Sequence, residues 1–200
     1  MAISRTEIVN KALTLVGAQP VVNLDDDAQN AKVVNRVYEI SLKSILSEAP
    51  WVFALQRKLL VQLTESLEWY DTGEVYSYQK PNECIRIFRS SSPTATWKVL
   101  GNKVISDTND LGVEFVYYNN TPTTYTSSFV EAFVDKLCTD IAFMILNSKT
   151  VAQGFLEKYE EVSLVKALAE NAQIGTPVYM RDDAWELAKI AGGSQVVPGQ

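Results

Sequence analysis

The spacing of apolar residues along this chain changes twice, from helical to alternating and back, and that double change limits the architectures open to it. Before residue 50 the period is helical. Ser4 and Glu7 have the spacing of a capping box, Ile8, Ala12, Leu13, Leu15 and Val16 continue it as one stripe, and Gly17 suits the left-handed position that ends a helix. After a loop over residues 18–24, Asp25, Asp26 and Asp27 stand where the positive end of a second helix favours carboxylates. That helix is expected to run to about Ala49, because Pro50 turns its predecessor away from helical angles. Ala31, Val34, Val37, Tyr38, Ser41, Leu42, Ile45 and Leu46 form its inward face.

Residues 51–120 carry short runs of β-branched and aromatic residues, separated by turn clusters such as Asp71-Thr72-Gly73, Lys80-Pro81-Asn82 and Gly101-Asn102. The pattern predicts strands near residues 52–63, 74–78, 85–90, 96–99, 103–106 and 113–118. The clearest hairpin covers residues 97–105, where Gly101-Asn102 supplies the positive φ of a tight turn.

Helical spacing returns at Ser128 and Glu131, a second capping box, with Phe129, Phe133, Leu137, Cys138, Ile141, Met144 and Ile145 as the apolar face. A third box, Thr150 with Gln153, opens a helix to about Gln173. Phe155, Tyr159, Val162, Val165 and Ala169 are its inward residues; Glu157, Lys158, Glu160, Glu161 and Lys166 point outward. Gly175-Thr176-Pro177 stops it, and a short helical patch follows over residues 182–191. The expected fold class is α+β: a helical bundle of about four helices, two N-terminal and two C-terminal, from residues 1–50 and 127–175. An inserted antiparallel β domain covers residues 51–126, and an extended C-terminal tail covers 176–200.

Composition narrows the chemistry. The chain has no histidine, so the commonest general base and the commonest metal ligand are missing. A formal net charge of −6 opposes tight nucleic-acid binding, which needs clustered Lys and Arg. Cys84 and Cys138 match no metal-ligand spacing and are expected as reduced core thiols, and Met1-Ala2-Ile3 opens no signal peptide, which points to synthesis in a bacterial cytoplasm. The apolar stretch over residues 141–146 is far shorter than the roughly 18 residues of a membrane span.

Each polar cluster has a structural explanation. Asp25, Asp26 and Asp27 cap a helix; Asp107-Thr108-Asn109-Asp110 lacks the glycine and distal glutamate of a calcium loop and reads as a β-turn; Glu157, Glu160 and Glu161 face solvent. Trp51, Phe53, Trp69, Tyr70, Tyr76, Tyr78, Tyr117 and Tyr118 have no basic groove beside them in this acidic chain, so they read as core or subunit-interface packing rather than a base-stacking surface. No catalytic, cofactor-binding or metal-binding residue is expected. Val178, Tyr179, Met180, Trp185, Leu187 and Ile190 are candidate contacts to a neighbouring subunit or partner, the alternative being that the tail folds back on its own bundle.

The ordered string Ala12-Leu13-Thr14-Leu15-Val16-Gly17-Ala18-Gln19-Pro20-Val21, then Leu24-Asp25, Ala31 and Tyr38, then Pro50-Trp51-Val52-Phe53-Ala54 with Arg57 and Leu60, resembles the head-to-tail adaptor family of short-tailed bacteriophages, also called tail tubular protein A. Pro81-Asn82-Glu83-Cys84-Ile85-Arg86-Ile87, Trp97 with Gly101, Ile105-Ser106-Asp107, residues 115–118, Phe129, Phe133 and Tyr159 follow in the same order, carrying the resemblance to about Ala172. Ala49 stands where the family has histidine before Pro-Trp, and Ser41-Leu42-Lys43 where an arginine follows the tyrosine of the second helix.

The resemblance implies a structural virion protein of the neck, not an enzyme. It implies a homo-oligomeric, dodecameric ring that docks under the portal protein, accepts the tail nozzle protein and frames the channel for genome ejection, away from any membrane. Twelve copies at −6 each would bring −72 to such a ring, and a like-charged wall lets DNA slide without specific binding. Two competing readings are a head-completion or connector subunit of a long-tailed phage, and a small carboxylate-dependent enzyme with a buried Asp or Glu pair.

Overall fold

The computed structural model describes residues 3–25, 28–64 and 75–174. It is a mixed, α+β structure of helices and two small antiparallel sheets. In chain order come α1 (Arg5–Leu15), α2 (Gln29–Glu48), β1 (Leu55–Leu59), β2 (Tyr76–Gln79), β3 (Cys84–Ser90), β4 (Trp97–Leu100), β5 (Lys103–Ser106), β6 (Gly112–Tyr117), α3 (Ser127–Leu146), α4 (Lys149–Lys158) and α5 (Leu164–Ile174).

The first helix forms as its sequence dictates. Glu7 N–H donates to Ser4 Oγ (3.2 Å) while Ser4 N–H donates to Glu7 Oε2 (2.6 Å), which satisfies two orphan donors reciprocally. At the other end Gly17 sits at φ +75°, with Ala18 N–H on the Leu13 carbonyl and Gly17 N–H on that of Thr14, the paired bonds of a Schellman cap. The loop behind it is held by side chains. Asn10 both donates to and accepts from the Val21 backbone at 2.8 Å, and Asn30 and Asn35 of α2 donate to the Gln19 and Leu24 carbonyls.

That loop corrects the expected start of α2. The helix begins at Gln29 behind an extended Ala28, not at the aspartates: Asp25 N–H donates to Asn23 Oδ1, a local turn that competes with helix, and Asp26 and Asp27 lie outside the described residues. Two further caps are shifted. Thr126, not Ser128, caps α3, and Ser128 N–H is met by Glu170 of α5, while Glu131 reaches Lys166 at 2.8 Å. Ser148, not Thr150, caps α4, directly after Asn147 ends α3 in the left-handed region at φ 50°.

All eight inward residues of α2 are buried, as are Phe129, Phe133, Leu137, Cys138 and Ile141 of α3. Helix α3 is the element on which α1, α2, α4 and α5 all pack. Its last turn leaves the core: Met144 is 54% exposed, contrary to expectation, and so is Leu15 in α1 at 46%.

The expected fourth helix is broken by a π turn at Tyr159–Ser163. One extra residue in a turn rotates everything after it by about 100°, so the inward series becomes Tyr159, Ser163, Ala167 and Asn171. Val162 and Val165, expected inward, are 57% and 55% exposed, and Ala169 is exposed with them.

The strands form two three-stranded antiparallel sheets, in order β1-β6-β3 and β2-β5-β4. The expected long strand over residues 52–63 is shorter, because Val52–Ala54 form a 3-10 turn before β1. The β4–β5 hairpin turns at Gly101, φ +60°, as its sequence predicts. Central strand β6 serves both sides: Val113 and Phe115 join Leu60, Tyr78, Ile87, Val104 and Leu111 in one apolar cluster, while Val116 joins the helical core.

The chain crosses between helices and sheets at residues 50–54 and 119–125, and both crossings are bolted. Trp51 is fully buried, its indole N–H donating to the Ile45 carbonyl (2.8 Å) and its ring edge-on to Phe129 at 4.9 Å. Asn171 Oδ1 accepts from Val52 N–H (2.9 Å) and its Nδ2 donates to the Pro50 carbonyl (3.1 Å). Asn119 Nδ2 donates to the Phe53 carbonyl, and Tyr125 Oη to that of Asn119. Replacing Asn171 by Ala strands two backbone groups in this joint; urea denaturation is expected to show a loss of about 1–3 kcal/mol.

Candidate functional site

A cleft of about 850 Å³ opens on the β1-β6-β3 sheet. Strand register builds its charge: Arg57 of β1 and Arg89 of β3 both stand opposite Glu114 of β6. Arg57 Nε lies 2.5 Å from Glu114 Oε2, and Arg89 Nε 2.8 Å from Oε1. The carboxylate is buried, while both guanidiniums extend into solvent and keep donors unused by it. Lys58 adds a third cation at the rim, 3.6 Å from Glu83. Phe88, Pro93, Trp97 and Val113 supply apolar wall. Gly112 is required there by close approach, since a Cβ would come within 2.9 Å of the Ser91 Cβ.

Burial pushes the Glu114 carboxyl pKa up, and the hydrogen bonds and charges of Arg89 and Arg57 pull it down further, so the group titrates below its ordinary value. A carboxyl depressed in the folded state stabilises above its unfolded pKa of about 4.5, and this contribution is lost as pH falls through the folded value. Glu114→Gln is therefore expected to be less stable than the parent at pH 7, with the gap in unfolding midpoint closing as pH is lowered below about 4.5.

A second hollow, about 310 Å³, lies between α1, α3 and the π turn. At its base Asp135, buried, accepts from Lys158 Nζ (2.8 Å) and from Ser163 Oγ. Burial pushes the neighbouring Cys138 thiol up to about 12, with the Asp135 charge adding to it. Ser163 donates its proton to a carboxylate that Lys158 already neutralises; the geometry is that of a tie between α3 and the π turn.

The sequence-derived candidates are dispersed. Asp107 accepts from Thr96 N–H (3.0 Å) and Thr108 Oγ1 (2.8 Å) at a turn, and Glu157, Glu160 and Glu161 are exposed. Trp51 and Tyr78 are core residues, Phe53, Tyr76, Tyr117 and Tyr118 half-buried, and Trp69 and Tyr70 lie outside the described residues. So do all six tail candidates, Val178, Tyr179, Met180, Trp185, Leu187 and Ile190.

The cation-rich cleft is the feature that sequence reasoning missed. Net charge argues against a basic groove, yet strand pairing collects Arg57, Lys58 and Arg89 from distant positions. The available signal was their placement, with Glu114, on neighbouring antiparallel strands.

Among the described residues, no helix is long and apolar enough to cross a membrane, and no three His, Cys, Asp or Glu side chains converge as a metal site. No family model and no curated protein matches the sequence.

Proposed function

We propose that this chain is a structural subunit of a short-tailed bacteriophage neck, a head-to-tail adaptor that forms a ring between portal and tail nozzle and frames the DNA exit channel. The observation that carries this reading is where the resembling residues sit. Gly17 closes α1, Val21 is clamped by Asn10, and Trp51 and Ala54 are buried in the crossing to the sheets. Gly17 to Val21 and Pro50 to Ala54 are absent from the lining of the cleft. A motif used for joints is what a scaffold subunit needs; a catalytic motif presents polar groups to a cavity.

In this reading α1 to α5 form a bundle centred on α3, made of residues 1–50 and 127–175, with residues 51–126 as an inserted domain. The apolar side chains left outside by the π turn, Val162 and Val165, together with Leu15 nearby, are a surface for a neighbouring copy or the portal. The tail side chains Val178, Tyr179, Met180, Trp185, Leu187 and Ile190 are further contacts in the assembly. Ring closure requires heterologous contacts, one patch against a different one, and two such regions satisfy that requirement. The excess of carboxylates keeps DNA passing through the lumen from adhering.

Light scattering of the purified protein, alone and with its portal, tests the proposal. A ring-sized complex formed with portal supports it; a mass that no portal changes, at any concentration, removes it; and assembly only with a long-tailed phage connector reassigns the chain to that neck. Replacing both Val162 and Val165 by Glu is expected to leave stability within about 0.5 kcal/mol, because the sites are exposed, while abolishing portal-dependent assembly.

A further inference from the structure

We infer that the cleft on the β1-β6-β3 sheet is a docking site for the acidic, tryptophan-bearing segment at residues 182–190 of the same chain. The inference concerns the free subunit and does not rest on the adaptor reading. Three observations lead to it, namely charge, surface chemistry and reach.

The cleft holds Arg57, Lys58 and Arg89 against Glu114, and Lys58 is paired with Glu83 at its rim, so the local balance is +1 in a chain whose total is −6. Residues 182–190 read Asp-Asp-Ala-Trp-Glu-Leu-Ala-Lys-Ile, three carboxylates and one lysine, a balance of −2. The arginines keep guanidinium N–H groups that Glu114 does not occupy, which are suited to bidentate contact with a second carboxylate. Apolar chemistry matches as well. Trp97 and Phe88 are half-buried in the cleft, Leu59 is exposed at its edge, and the segment brings Trp185, Leu187 and Ile190.

Reach is set by where α5 ends. Asn171 is bound to Val52 and Pro50, so the last described turn of the chain lies against the root of β1, and Arg57 follows Val52 by only five residues, at most about 18 Å of backbone. The eleven residues from Ile174 to Trp185 span up to about 40 Å when extended. The segment therefore reaches the cleft of its own chain without strain, and the short tether gives it an effective concentration on the order of 1 mM.

The test uses the full chain with Ala184→Cys carrying a nitroxide. Cys84 and Cys138 are buried and burial raises both thiols, so the label goes to the new site alone. In nitrogen-15 protein, the Trp97 indole N–H signal is expected to lose about half or more of its intensity to the label at every protein concentration, as a tether near 1 mM implies. The signal returns when Asp182, Asp183 and Glu186 are replaced by Lys, with an unchanged urea midpoint showing that the fold is intact. Lys58→Glu, on the cleft rim and away from Glu114, is expected to restore it in part. An undiminished Trp97 signal overturns the inference, as does equal loss in the charge-reversed chain. Loss that appears only when labelled, unenriched chains are mixed with enriched, unlabelled ones also overturns it, because the occupant is then a second copy.

Discussion

The chain leaves its helices for its sheets inside the protein, where peptide groups have no water to bond to, and the fold depends on those groups finding partners. Asn171 answers for Pro50 and Val52, Asn119 for Phe53, and the Trp51 indole for Ile45. Asn171 and Asn119 come from parts of the chain far from the crossing they serve, whereas Trp51 lies within it. Around these bonds Trp51, Phe53 and Tyr125 each pack edge to face with Phe129, and Phe133 stacks on it, which contributes about 0.5–1.5 kcal/mol per ring pair beyond area buried. Helical and sheet parts are thereby joined by directional contacts as well as by apolar burial.

The π turn has the larger effect on the surface. It brings Ser163 onto Asp135 in a buried polar tie and Tyr159 onto Glu48 in a part-buried one, and it turns Val162 and Val165 outward. A regular helix would bury the valines and leave the carboxylate with Lys158 alone. The same local irregularity thus satisfies a buried charge and leaves two valines exposed on the surface.

Charge is distributed by pairing rather than by composition. An acidic chain acquires a cationic cleft because three antiparallel strands set Arg57 and Arg89 on either side of one buried glutamate. The glutamate holds the two guanidiniums, so their remaining donors are presented from fixed positions.

Much of this was legible in the residues. Period and turn chemistry alone determine α1 with both caps, the inward face of α2, the β4–β5 hairpin at Gly101 and the mixed α+β class, because each depends on neighbours within a few positions. Cap positions at Thr126 and Ser148 were misplaced by two residues, since several hydroxyls compete locally and Glu170, 42 positions away, supplies the donor's partner that decides α3. The outward turn of Val162 and Val165 was not legible: a π turn is selected by what Ser163 and Tyr159 meet across the core, not by the pattern of their own helix. Nor was the cleft, whose cations are assembled by strand register. What the sequence by itself determined is therefore the set of elements and the ends of α1; the exposed valines and the cationic cleft were decided by tertiary structure, because they rest on contacts between residues that are distant in the chain.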